Sequence, residues 1–313
     1  MQKKLLVIAL AAIGAVGNAQ AAAVANSVDE VTNFRFLDST GAVLNANAFS
    51  ALGIADSTNL NPSLNGAFNP FTNSVVAGPL PLEVRTVGAG PAVTGNFGHY
   101  VPGSPVPGAG ADIARAASSL DGDPLIGLTP PQFIGANART SALAQLANPG
   151  VANSASNIGL LATVTFVLPV SRTITIDFLA DMHLATFLNS NLAANAASTL
   201  TFDLVNQTAG GINVFHFAPD GNLTAGETFD TCNLQRSIGT FGPGQAVANC
   251  SGRFGATSGL LLANTQYTFS IGQLNRADVL VSAVPEPSSL MLAGLALAGV
   301  GFVGARRKQT MGG

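Results

Sequence analysis

From Leu160 to Val281, apolar side chains return at every second position. Leu160, Ala162, Val164, Phe166 and Leu168 make one run, and Ile174, Ile176 and Phe178 make the next beside Thr173, Thr175 and Asp177. Leu200, Phe202 and Leu204 alternate with Thr201 and Asp203, and Tyr267, Phe269 and Ile271 alternate with Thr268 and Ser270. Ala277, Val279 and Val281 close the series. Successive side chains of a strand point to opposite faces, so this spacing makes half-buried strands and does not suit helices. One polar face per strand argues against a parallel sheet covered on both sides. Pro169 to Ser171 and Gln207 to Gly211 punctuate the runs as turns. The expected fold is mainly β, an antiparallel β-sandwich or jelly-roll-like arrangement over residues 158–284.

Residues 22–157 form a less regular, β and loop-rich region. Residues 31–37 and 82–87 read as strands, 38–41 as a turn and 42–44 as the start of a return strand. Residues 59–73, rich in Asn, Pro and Gly, read as loop. Residues 88–110 carry Pro102, Pro105 and Pro107 and read as a long surface loop or an internal linker. The Ala-rich stretches 112–120 and 138–147 are expected to be short helices.

Both ends of the chain are set apart from this pattern. Lys3 and Lys4 precede an apolar run from Leu5 to Val16, followed by Ala19, Gln20 and Ala21 as a small-residue cleavage site. Residues 1–21 are therefore a signal peptide whose helix engages the Sec translocase and signal peptidase, with cleavage after Ala21 or Ala23 fitting equally. At the other end Val284, Pro285, Glu286 and Pro287 lead into an apolar run from Leu290 to Ala305. Leu290, Leu292, Leu295, Leu297, Val300, Phe302 and Val303 form its bulk, and Arg306, Arg307 and Lys308 close it. As a helix the run is about 24 Å long, a short single transmembrane span. The basic cluster belongs on the cytoplasmic side, which puts the body of the chain outside. Pro285 and Pro287 keep the backbone before the span extended and open to a protease.

Residues 285–308 resemble the PEP-CTERM sorting signal: the Pro285-Glu286-Pro287 motif, the apolar helix and the basic Arg306-Arg307-Lys308 tail stand in order at the end of the chain. Proteins with that signal are substrates of exosortase, a membrane-embedded protease of Gram-negative bacteria that make exopolysaccharide. The resemblance implies a temporary inner-membrane anchor cut near Pro285, Glu286 and Pro287. Residues 178–181, 214–222 and 260–271 are similar to the exosortase-dependent surface protein family, with Phe217 where a Trp often precedes the Ala218-Pro219-Asp220-Gly221 turn. That likeness implies a surface or secreted β protein and brings no catalytic residues.

Charge and composition narrow the function. Losing Lys3, Lys4, Arg306, Arg307 and Lys308 removes five of the 13 basic residues and leaves eight arginines against 16 acids. A lysine-free, acidic product excludes a Lys nucleophile, a Schiff base and a Lys-Asn crosslink, and it has no basic face for nucleic acid. The only thiols, Cys232 and Cys250, enter an oxidising compartment and are expected to pair as a disulfide, with two buried free thiols or a catalytic Cys as the alternatives.

The histidines are His99, His183 and His216. Asp177, Asp181 and His183 share parity and lie on one strand face, read as a solvated face in preference to a metal edge. Asp220 to Thr224 reads as a tight turn rather than a calcium loop, since Ala225 and Glu227 break the loop's spacing. Asp121 to Pro124 is likewise a turn. No G-x-S-x-G elbow is present and no Walker order follows Gly88. The chain has no Trp and two Tyr, Tyr100 and Tyr267, the latter expected to face inward, so sugar stacking has little to work with.

The expected product is thus a non-enzymatic structural or adhesive protein, without cofactor or metal, at the cell surface or in extracellular polysaccharide. Whether it is attached to an envelope glycan or released stays open. One alternative is an exported carbohydrate-binding or carbohydrate-active protein that uses the tail as an address. A second is a permanently tail-anchored periplasmic protein.

Overall fold

The computed structural model describes residues 23–76, 79–88, 111–122, 125, 135–189 and 192–281. The strands are β1 (Ala23–Leu37), β2 (Ala51–Leu60), β3 (Ser63–Leu64), β4 (Ala67–Phe68), β5 (Phe71–Val76), β6 (Leu80–Gly88), β7 (Ile113–Asp121) and β8 (Ala136–Leu146). They continue with β9 (Gly150–Val167), β10 (Thr175–Leu188), β11 (Ala193–Asn206), β12 (Ile212–Phe217), β13 (Glu227–Asp230), β14 (Arg236–Phe241), β15 (Gly244–Thr257) and β16 (Gln266–Val281). A single 3-10 turn at Ala46–Ala48 is the only helical element among the described residues, and none there is long and apolar enough to cross a membrane. The expected signal helix (residues 1–21) and the expected anchor helix with its basic tail (residues 285–308) lie outside the described residues.

The expectation of a mainly β, antiparallel chain holds. One sheet runs β13-β15-β10-β1-β8-β7-β6. The other runs β12-β11-β16-β9-β2-β5, with β14 beside β11 and the β3–β4 hairpin on β9. The point between residues 157 and 158 falls inside β9, and both sheets draw strands from either side of it.

Phenylalanine fills the space between the sheets. Phe34 and Phe36 of β1, Phe178 of β10 and Phe254 of β15 face Phe166 of β9, Phe202 of β11, Phe217 of β12 and Phe269 of β16 in one buried cluster. Phe34 lies 5.7 Å from Phe202, Phe178 lies 4.8 Å from Phe202, and Phe36 meets Phe269 edge-on at 4.9 Å. Such offset and edge-to-face pairs suit the aromatic quadrupole. Strict alternation would have split β1's apolar residues between two faces. A bulge at Asn33, which has φ 57°, shifts the register so that Val31, Phe34 and Phe36 all enter the core.

Towards the opposite end the interior changes character. Ala23, Ala25, Ala144, Ala152, Ala194 and Ala277 pack there with Leu146, Leu188, Val279 and Val281. Between the two apolar clusters the sheets bridge by polar side chains: Ser27 donates to the Ala197 carbonyl at 2.8 Å, Ser156 to the Ala117 carbonyl at 2.6 Å and Asn275 Nδ2 to the Thr140 carbonyl at 3.1 Å. Gln273 Nε2 donates to the Asp29 carbonyl at 2.9 Å. Small side chains bring the sheets close enough for a Ser or Asn to reach main chain across the gap.

Four local expectations are corrected. The Ala-rich stretches 112–120 and 138–147 are the strands β7 and β8, not helices. Their side chains are buried on both faces, so no polar alternation marks them as strands, and tertiary packing overrides alanine's helix preference. Residues 59–73 include β3, β4 and the start of β5 rather than a plain loop. Residues 42–44 make only a single bridge, Leu37 with Val43. The runs at 267–271 and 277–281 are one strand, β16.

The two ends of the described chain meet. Ala23, the first residue of β1, pairs with Leu146 and Leu188, and Val281, the last of β16, pairs with Gly150. Three residues separate Leu146 from Gly150, and four separate Leu188 from Ala193, which itself pairs with Leu280. Ala23 and Val281 therefore leave the sandwich at the same end, inside one buried cluster.

Candidate functional site

The polar face of β10 spreads its groups instead of gathering them. Asp177 is buried and held by two guanidinium groups: Arg35 Nη2 donates to Oδ2 and Arg253 Nε donates to Oδ1, both at 2.6 Å. Arg253 also covers the Phe229 ring at 4.2 Å, which keeps it in place over the strand. Asp181 is exposed and stands opposite Glu30 and Ser251. His183 Nδ1 lies 2.6 Å from Asn249 Oδ1. Asp177 and Asp181 are four residues apart, roughly 13 Å along a strand. Among the described residues no three His, Cys, Asp or Glu side chains gather as a metal site. His216 bonds Asp203 at 2.8 Å on the exposed face of β12 and β11. His99 and Tyr100 lie outside the described residues.

Residues 220–224 turn ahead of β13, as their sequence suggests. Gly221 has φ +84°, Asn222 N donates to Asp220 Oδ1 at 2.8 Å, and Asp230 Oδ2 accepts from the amides of Asp220 and Gly221 at 3.1 and 3.0 Å. Glu227 turns back on the amide of Thr224 at 2.6 Å. These carboxylates serve backbone donors. Burial pushes the Asp230 carboxyl up, against the two amide bonds that lower it.

Cys232 and Cys250 form a disulfide. Cys250 is buried on the inner face of β15, so the bond ties the β13–β14 connection to the core. Gly252 and Gly255 let β13 and the connection after it lie flat on β15: a Cβ at Gly252 would come within 2.6 Å of Thr231, and one at Gly255 within 2.7 Å of Thr228 Oγ1. Closing a loop of this length stabilises the fold by about 3 kcal/mol in the chain-entropy estimate. Replacing both cysteines by Ser is expected to lower the unfolding free energy by that amount, read as a denaturant midpoint shift. Wild-type protein in reductant should show the same shift.

Tyr267 is buried as expected, with its ring 5.8 Å from Phe166 and its hydroxyl accepting from the Leu262 amide at 2.8 Å. It is not a sugar-stacking platform. Two groups escaped sequence reasoning. Asp29 lies wholly inside, between the sheets, where burial pushes its carboxyl up to about 7. Phe68 and Phe241 stand exposed, at 74% and 84%. An acid in a β strand and a Phe near a turn carry no local mark of either fate.

The groups that decide this chain's fate lie past Val281, at the end of β16. A family profile described as the PEP-CTERM protein-sorting motif matches residues 283–308. The chain carries a PEP-CTERM protein-sorting motif. The matched span takes in Val284, Pro285, Glu286, Pro287, the apolar run and the Arg306-Arg307-Lys308 cluster. PEP-CTERM sorting means that the protein is exported, transits the membrane and reaches the cell envelope or surface with exosortase as its processing partner. These residues, with Ala19 and Ala21 at the other terminus, lie outside the described structure. Comparison with curated protein sequences gave no match. Among solved structures, infectious bursal disease virus of the Gx strain is 12% identical over 91% of this chain and 89% of that one, with a TM-score of 0.11. The Gt strain structure is 10% identical over 90% and 87%, at 0.09. Scores that low bear neither on this fold nor on its function.

Proposed function

We propose that the PEP-CTERM chain is a non-enzymatic surface or matrix protein of an exopolysaccharide-producing Gram-negative bacterium. It enters the Sec translocase by residues 1–21, pauses on the helix around Leu290 to Val303, and is cut by exosortase beside Pro285, Glu286 and Pro287. What remains is the two-sheet domain, in a sandwich of jelly-roll-like kind, in the extracellular matrix. The matched motif at residues 283–308 carries this reading. The β domain supports it: Asp177 is engaged by two arginines and Asp230 by turn amides, and Ala23 and Val281 leave at one end, as suits a module held from a single side.

Intact-mass measurement and C-terminal peptide mapping of the protein from its native host test the proposal. A mature C-terminus between Pro285 and Ser288 is expected. Mature protein that still carries Arg306 or Lys308 would establish the permanently anchored alternative instead. Retention of the mature domain on immobilised polysaccharide would favour the carbohydrate-binding alternative.

A further inference from the structure

The last rungs of the second sheet carry an apolar lip. Phe241 of β14 pairs with Ala193 of β11, Ala193 pairs with Leu280 of β16, and Leu280 pairs with Val151 of β9. Directly paired residues share a face. Val281 and Ala152, the neighbours of Leu280 and Val151, point into the core, so this row points out. Leu280 is 48% exposed and Val151 40%. Two rungs inward, Phe68 of β4 pairs with Ser63, and Ser63 pairs with Asn153 of β9. Phe68 therefore stands on the same face, about 24 Å across the sheet from Phe241 at five strand spacings. Polar Asn153, Asp278 and Asn195 continue Phe68's rung towards β14.

This lip borders the end where β1 begins and β16 stops. Residues 282–289 separate Val281 from the apolar run at Leu290 and span at most about 29 Å when fully extended. Residues 17–22 join Ala23 to the apolar run ending at Val16, at most about 22 Å. While either terminal segment sits in a bilayer, this end of the domain is held within that reach of the lipid, and the far end of β16 lies roughly 50 Å away along the strand. Exposed Phe side chains are a liability in water and gain free energy at a lipid interface.

We infer that Phe241, Phe68, Leu280 and Val151 rest on the membrane surface while the precursor is anchored. The contact seats the domain against the lipid and holds Pro285, Glu286 and Pro287 at the level where a membrane-embedded protease works. It rests on the anchoring reading above and adds a lipid-binding face to the folded domain. Release of the anchor leaves the lip too small to hold the domain alone.

The absence of Trp makes a direct test available, since any introduced indole reports alone. Full-length Phe241→Trp, Phe68→Trp and, as the distal control, Leu260→Trp are reconstituted into vesicles of phosphatidylcholine with or without brominated acyl chains. Flotation reports anchoring, and bromine quenching reports the lip. Roughly twofold quenching is expected for the indoles at 241 and 68, with little at 260. Flotation without quenching, or equal quenching at all three sites, overturns the lipid contact and leaves the anchor standing. No flotation overturns both. An indole at 241 that is shielded in detergent in proportion to protein concentration shows a second copy there and overturns the lipid contact.

Discussion

Replacing Asp29 by Asn is expected to abolish most of a fall in stability that the wild-type domain shows between pH 4 and pH 7. Asp29 is fully enclosed, and burial is the main reason its carboxyl is pushed from 3.8 up to about 7. The Ser198 hydroxyl and Gln273 side chain lower it, while the charge of Asp181 on the neighbouring strand adds to the rise. Its Oδ1 and the Oε1 of Gln273 are both buried acceptors without a donor, and a proton on the carboxyl supplies one. The sign follows from proton counting. Above its ordinary value the unfolded chain has lost this proton, whereas the folded chain keeps it to about pH 7. Between those values the folded state binds more protons, so stability drops as pH rises and levels off above about 7. A shift of about three units corresponds to roughly 4 kcal/mol. Denaturant titrations at pH 4.5 and pH 8 should therefore show a large difference for wild type and a small one for Asp29→Asn, with the variant the more stable at pH 8. Equal pH dependence in both proteins would mean that Asp29 is ionised in the folded state.

The second large effect is expected at Phe202. Its ring is fully buried and stacks against Phe34 on the facing sheet, while also meeting Phe178, Phe217 and Phe269. Phe202→Ala removes a side chain packed against both sheets and leaves a cavity rigid β strands close poorly. The expected loss is about 4 kcal/mol of unfolding free energy. Phe202→Leu, which keeps most of the volume, should lose well under half of that. Urea midpoints of the two variants measure it. The exposed Phe241, changed to Ala, should leave the midpoint nearly untouched, which separates a core ring from a surface one.

The alternating runs of β10, β11 and β16 were readable because each strand there has one polar face. β7 and β8 were not, because both their faces are buried and alanine then looks helical. Asp29 shows the same limit for a single residue. Nothing about the neighbours Val28 and Glu30 says that Ser198 and Gln273, 169 and 244 positions away, will close over it. Cys232 and Cys250 were readable as a pair, being the only thiols in an exported chain. That the bond anchors a crossing segment to the core was not.

The motif at residues 283–308 is a linear signal, recognised through the order of proline, apolar length and charge, so the amino-acid sequence alone determines it, and the signal peptide proposed at residues 1–21 would be read in the same way. The lip and the shared exit of both termini belong to the other class. Phe68 and Phe241 come to lie on one face near one end of the sheet only because five antiparallel pairings lay their strands side by side. Register and sheet order arise from long-range packing of the phenylalanine core, and no local stretch of chain encodes them.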